Sequence, residues 1–513
     1  MTAALLAGVE HQRCGRVAQA EQLYRVALAA DPAEATALRL YGLLCLGSGR
    51  AEEAAELLAR AASAAPDHAG VRLALARAWL EASEPGAALD AACAACCLDP
   101  QRAEAHFLRG TALNALGRPA EAAAVLRRAV ALDPYHAAAH LNLGNACADL
   151  DRLDEAEQFC RAAVRLDPTL AEAHVSLGFA LTSLGRLGEA IAACEAAIAL
   201  RPDFAQAHWN RATACLLRGD FHTGFEEYEW RKRHDRFRRD FLALPGPAWQ
   251  GESLARRTIL VHAEQGLGDT IQLSRFLPLL ATRGARVALA CDARLIPLLG
   301  TLPGVAEVVP RGAALPRYDF WVDQMSLPRL FDLTPDTIPA AGGYLSADPA
   351  RVAAWRAALP AGRNVGLVWA GNPLHSNDRR RSLPPEQLAR LSAVSGIRFV
   401  SLQVGPRADE AAAMADCSPH LADYAETAAL TAALDLIVTV DTSVAHLAGA
   451  LGVETWVMLP FAPDWRWILG RDDTPWYASM RLIRQPRPGD WDSVLDTVAL
   501  RLSRLVRPTG PCS

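Results

Sequence analysis

Six prolines, Pro32, Pro66, Pro100, Pro134, Pro168 and Pro202, stand 34 residues apart without interruption. A period of about that length restricts the first part of the chain to a stack of similar supersecondary units, because one unit alone cannot bury its apolar face. Other positions keep the same register. Twelve residues before each proline stand Ala20, Ala54, Ala88, Ala122, Ala156 and Ala190, and five before stand Ala27, Ala61, Ala95, Ala129, Ala163 and Ala197. Small residues at fixed places in a helical pair mark where its helices approach closely. Gly8, Gly42, Gly110, Gly144 and Gly178 lie 24 residues before their prolines, with Ala76 taking that place in the third repeat. The proline itself follows the second helix, usually after an aspartate (Asp31, Asp99, Asp133, Asp167), where it stops one helix and helps start the next. These positions build a scaffold and carry no chemistry.

The register is that of tetratricopeptide (TPR) repeats. It predicts an α-solenoid over residues 1–235, with six 34-residue repeats and a capping pair from Ala205 to about Tyr228. At the next proline position, residue 236, stands Arg236, and the pattern breaks down. The run from Trp230 to Arg239 is strongly basic, and Pro245, Gly246, Pro247 and Gly251 then interrupt any helix, so residues 236–255 read as a linker. The basic run reads as a solvated face of the capping helix, with an acidic partner or a phosphate as the alternative.

With 513 residues the chain exceeds one core. A formal charge of -5 gives no reason to expect nucleic-acid binding. The twelve cysteines are scattered. Cys93, Cys96 and Cys97 have no second ligand pair to complete a zinc site, so they read as packing thiols in a reducing cytoplasm. The apolar run Ala3 to Val9 is short and lacks a basic flank, which predicts no secretory leader. No stretch approaches the roughly 18 to 20 apolar residues of a spanning helix. A cytoplasmic protein is expected, with no transmembrane segment, metal or cofactor.

Of the twelve tryptophans only Trp79 precedes residue 209, and beyond the linker the pattern changes to short apolar runs alternating with helices. Thr258 to His262, Arg286 to Ala290, Val305 to Val309 and the region of Tyr318 to Val322 read as strands of a first parallel set over residues 256–348. Asn364 to Trp369, Arg398 to Leu402, Leu436 to Val440 and Glu454 to Leu459 form a second set over residues 349–513. The fold class is α + α/β, a TPR α-solenoid followed by a pair of Rossmann-like domains. Ligands in open α/β sheets bind beyond the carboxyl ends of the strands, so the turns there are the candidate site.

In the first turn, Gly266 and Gly268 allow close approach of an anionic group to backbone amides. Asp269 reads either as a base that accepts a proton from a hydroxyl or as a helix cap. In the second, Asp441, Thr442 and Ser443 enter a helix whose start suits a diphosphate, with His446 on the same face; the alternative is a capping Asp with a buried His. A third turn, Trp369 to Leu383, carries Asn377, Arg379, Arg380 and Arg381, candidates for clamping phosphate. A fourth, Leu459 to Trp467, offers two tryptophans and Arg466 either to a base or sugar or to packing between the domains.

In order and placement these turns resemble the ADP-heptose:lipopolysaccharide heptosyltransferase family of GT-B glycosyltransferases, in the form fused behind TPR repeats, over about residues 245 to 505. The resemblance implies a GT-B pair of domains, with the acceptor side at 256–348 and the nucleotide-sugar side at 349–513. It implies Asp269 as catalytic base. It also implies Asp441, Thr442, Ser443 and His446 as the counterpart of the family's Asp-Thr-Gly-x-x-His donor motif. Gly266, Gly268, Asn377, Arg380 and Arg381 complete the expected donor site. Ser443 stands where the family has glycine, and the family's donor-binding lysine has no lysine counterpart, leaving Arg379, Arg380 or Arg381 as candidates. The architecture is also similar to that of TPR-containing protein O-GlcNAc transferases. The expected function is metal-independent transfer of a sugar from a nucleotide-diphosphate sugar to an acceptor hydroxyl, with the repeats recruiting a protein acceptor or partner. The alternative is a TPR scaffold whose transferase-like region has lost turnover.

Overall fold

The computed structural model describes residues 3–375, 377–411 and 414–506. Ser376, part of the third turn, and the end of the second α/β half from residue 507 lie outside them. The chain divides into two compact units, residues 1–184 with 196–202, and residues 185–195 with 203–513.

The first unit is a TPR solenoid of antiparallel helical pairs, from Ala3–Arg13 with Val17–Ala30 to Ala171–Ser183. The glycine register is a packing device. A β-carbon on Gly8 would meet the Tyr24 ring at 2.6 Å, on Gly42 Leu58 at 2.7 Å, on Gly110 Leu126 at 2.4 Å and on Gly144 Cys160 Sγ at 2.6 Å. In each case the neighbour lies sixteen residues on, in the second helix of the same repeat, so the missing side chain sets how closely the pair packs. Ala20, Ala54, Ala88, Ala122 and Ala156 are all fully buried. At the turns, Oδ1 of Asp31, Asp99, Asp133 and Asp167 accepts the backbone N–H two residues on, across the proline. His106, His140 and His174 close the same turns, each with Nε2 2.9 to 3.0 Å from the carbonyl of the proline six residues before. That 34-residue histidine spacing is a sequence signal additional to the proline ladder.

The second unit includes the last helical pair, Ala205–Arg218 and Phe221–Tyr228, which the repeat register assigned to the solenoid. The reason is aromatic. Phe221 stacks with Trp476 at 5.7 Å, while Phe225 and Tyr228 meet Trp465 edge-on at 5.6 and 5.9 Å. These rings share one core with the α/β region.

That region contains two parallel sheets. Strands β1 (Thr258–His262), β2 (Arg286–Cys291), β3 (Val305–Pro310) and β4 (Phe320–Asp323) are ordered β3-β2-β1-β4. Strands β5 (Arg363–Val368), β6 (Ile397–Ser401), β7 (Ala415–Asp416), β8 (Leu436–Val440), β9 (Thr455–Leu459) and β10 (Met480–Arg484) are ordered β10-β9-β8-β5-β6-β7. Strands β8 and β9 are buried throughout, as parallel strands covered on both faces must be. The edge strands β7 and β10 and the closing helix Trp491–Val506 carry weaker sequence patterns and are additions to the elements expected from the apolar runs. Among the described residues no helix is long and apolar enough to cross a membrane.

The basic run is not a solvated face throughout. Arg231 is fully buried, donating to Glu264 at 2.8 Å, to Ser326 Oγ at 2.9 Å and to Glu229 at 2.8 Å.

Candidate functional site

Strand β1 ends at His262, and the chain turns through Glu264 to Gly266 into the helix Leu267–Leu273. Strand β8 ends at Val440 and leads through Asp441 and Thr442 into the helix Ser443–Ala450. The carboxyl ends of the two sheets thereby bring these helices together. Gly268 lies against the second helix, where a β-carbon would fall 2.8 Å from His446 Cδ2 and 3.3 Å from the Ser443 α-carbon. The glycine admits the neighbouring helix. Gly266 is exposed with φ -83, a conformation open to any residue, and its N–H donates to Asp269 Oδ2 at 2.8 Å.

Asp269 thus serves its own helix start, and its second oxygen accepts from Arg466. Arg466 is also held by Asp464 at 2.7 Å and by Gln272 Oε1 at 2.8 Å. Burial raises the Asp464 carboxyl, but Arg466 outweighs it and leaves the group below its usual range. Asp441 is buried at the end of β8 and does not occupy the capping position, which falls to Thr442. Burial, reinforced by the charge of Asp464 and opposed by Arg381 and Arg466, pushes Asp441 up to about 6. Thr442 Oγ1 lies 3.2 Å from Thr439 Oγ1, and Ser443 Oγ lies 2.5 Å from the Tyr424 hydroxyl.

His446 is buried, with Nδ1 3.1 Å from the Tyr477 hydroxyl and its ring stacked on Trp467 at 5.5 Å. Burial, then the nearby Arg466, lowers it to about 3, so at neutral pH it is an uncharged imidazole. Trp465 and Trp467 are buried in packing. Arg381 pairs with Asp378 at 3.4 Å and lies within electrostatic reach of Asp441 and His446. The backbone of Asn377 bonds within its own turn, donating to His375 Nδ1 and accepting from the N–H groups of Arg380 and Arg381. Arg380 is half-buried on the short helix Asp378–Arg381.

A second polar cluster, which the sequence reading missed, lies at the ends of β1 and β4. His262 Nδ1 is 3.1 Å from Asp323 Oδ1, Lys232 is 3.2 Å from Asp323, and Glu264 accepts from Arg231 and from the Met325 N–H. Burial pushes Glu264 up, against the pull of Arg231. His262, Glu264 and Asp323 place metal-ligand atoms within 4.8 Å of one another, but Arg231 and Lys232 already supply positive charge there. The sequence signal was His262 closing an apolar strand, with Glu264 two residues on.

Residues 5–69, 73–137, 107–171 and 172–228 match the family model for the tetratricopeptide repeat. Protein FlbA of Caulobacter vibrioides is 30% identical over 323 residues, covering 57% of this chain and 54% of FlbA. The chain therefore spans about half the length of that curated relative. Similar solved structures include a TPR protein of Thermus thermophilus, with 25% identity and a TM-score of 0.29 over 35% of this chain and 97% of that one. A TPR protein of Parabacteroides merdae is similar at 16% identity and a TM-score of 0.39, over 45% of this chain and 92% of that one. PilF of Pseudomonas aeruginosa gives 21% and 0.35, over 39% and 90%.

Proposed function

We propose that the protein is a TPR-bearing glycosyltransferase of GT-B type that moves a sugar from a nucleotide-diphosphate sugar to an acceptor hydroxyl. The observation that carries this reading is the meeting of the turn after β1 of one parallel sheet with the other sheet's end, Gly268 against the Ser443–Ala450 helix start and Asp269 on Arg466. Two facing sheet ends form the place where open α/β proteins take nucleotides. The acceptor oxygen attacks the anomeric carbon as that carbon's bond to the diphosphate oxygen breaks. The diphosphate leaves with the electron pair, and the acceptor proton passes to Asp269. Arg381, Thr442 and Ser443 neutralise or hydrogen-bond the diphosphate. Neutral His446 positions the helix and offers an uncharged ring to the sugar side. The repeats present an extended surface to a protein acceptor or partner.

The test is thermal unfolding of the full chain against UDP, GDP, ADP and CMP, with Asp441→Ala as control. A ligand at ~100 times its Kd stabilises by about 2.7 kcal/mol, which moves a midpoint measurably. A shift with one nucleotide, lost in the variant, supports the reading. No shift with any of them favours a TPR scaffold without turnover. Asp269→Asn then tests the base: retained transfer would remove Asp269 from that role.

A further inference from the structure

Arg466 is deeply buried, its side chain 7% exposed. Each nitrogen of its guanidinium is committed: Nε to Gln272 Oε1, one terminal nitrogen to Asp464 Oδ1 and the other to Asp269 Oδ1. The cation also lies over the Trp465 ring, 4.2 Å from its centre. Asp269 is equally engaged, one oxygen on the Gly266 N–H and the other on Arg466. A carboxylate that is to take a proton must offer an oxygen within hydrogen-bond reach of the hydroxyl. Each Asp269 oxygen already holds one donor, and the bond to Arg466 fixes the direction in which Oδ1 can offer its remaining lone pair. The surroundings are also rich in carboxylate, since Asp269, Asp464 and Asp441 share the charges of Arg466 and Arg381. An entering diphosphate needs a guanidinium that turns toward it.

We propose that Arg466 is a further diphosphate ligand of this site, beside Arg381, Thr442 and Ser443, and the lock on its base: the entering diphosphate takes the terminal nitrogen that now holds Asp269, and the freed carboxylate oxygen turns to the acceptor hydroxyl. Asp464 and Gln272 keep the guanidinium seated while it changes one partner. The three bonds leave from three separate nitrogens of a rigid plane, a spread that the single nitrogen of lysine does not reproduce. The inference rests on the transferase reading, and couples donor binding to release of the base.

The experiment is calorimetric titration of the full-length protein with inorganic pyrophosphate, and with the nucleotide that shifts its unfolding midpoint, in a double-mutant cycle. Wild type binds pyrophosphate. Arg466→Gln weakens binding by ~10-fold or more, as loss of a charge-assisted pair requires. Asp269→Asn frees Arg466 and tightens binding several-fold, and that gain disappears in the Arg466→Gln background. A gain of equal size in both backgrounds is a simple field effect and overturns the lock. Pyrophosphate binding unchanged by Arg466→Gln, or absent from wild type, overturns the ligand assignment. Where Arg466→Gln does not fold, Arg466→Lys keeps a charge without the fork and is expected to lose affinity while Asp269→Asn no longer adds to it; wild-type affinity in Arg466→Lys overturns the proposal. If the cycle holds but no sugar nucleotide is consumed, the transferase reading fails and the anion site stands. If a nucleotide sugar is consumed while the cycle shows no coupling, the lock is excluded and the transferase reading stands.

Discussion

His446 fills the space that a side chain on residue 268 would need: a β-carbon on Gly268 falls 2.8 Å from His446 Cδ2. The loop after β1 and the helix after β8 pack at this point by omitting one side chain. Gly268→Ala is therefore expected to destabilise the α/β unit by about 1–3 kcal/mol, the usual range for overpacking. Thermal unfolding followed by tryptophan fluorescence checks it, and adding His446→Ala should make the second change cheaper. An unchanged midpoint in Gly268→Ala would show that the helices separate freely.

The pH dependence has two opposing parts. His446 is lowered from 6.5 to about 3 by burial and by Arg466, so its contribution is present above 6.5 and is lost as pH falls toward 3. Asp441 is raised from 3.8 to about 6 by burial and by Asp464, so its contribution is present below 3.8 and is lost as pH rises through 6. Between these values the two slopes oppose, each up to about 1.4 kcal/mol per pH unit. His446→Gln should leave stability falling with rising pH, and Asp441→Asn should leave it rising. Chemical denaturation at pH 4, 5 and 6 reads both; parallel profiles for the two variants would refute the assignment.

Arg231 and Glu264 form a fully buried ion pair. Arg231→Met strands a buried carboxylate and is expected to cost about 3–5 kcal/mol. The double variant Arg231→Met with Glu264→Gln should recover part of that loss. Calorimetric midpoints decide, and a double variant no more stable than the single one would place the cost in packing.

In the solenoid, a β-carbon on Gly110 would lie 2.4 Å from Leu126 Cγ, whereas one on Gly47 has nothing within 4 Å. Gly110→Val should lower the urea midpoint of the helical signal by the equivalent of about 1–3 kcal/mol. Gly47→Ala should leave it unchanged or raise it slightly, because alanine restricts the unfolded chain. Equal effects at the two positions would contradict the packing role of the glycine register.

The proline ladder announced the solenoid because a repeat writes the same packing problem every 34 residues, and Gly8, Gly42, Gly110 and Gly144 solve it identically. The buried strands β1, β5, β8 and β9 were visible as apolar runs, since parallel strands are covered on both faces. The edge strands β7 and β10 were not, because β7 has only two residues and the apolar run of β10 is broken by Arg481 and closed by Arg484.

For the candidate site, the sequence located the turns, because chain direction alone puts them at the carboxyl ends of strands. It left Asp269 open between base and cap, and the structure has it bonding both Gly266 and Arg466, a partner nearly two hundred residues away. It read the basic run as solvated, yet Arg231 is buried against Glu264. Local order in a chain follows from neighbours within a few residues, and so periodicity, turns and strand ends are written in the sequence of this protein. Which charges are paired, and which are buried, depends on groups brought together from distant segments, and only the tertiary structure decided that.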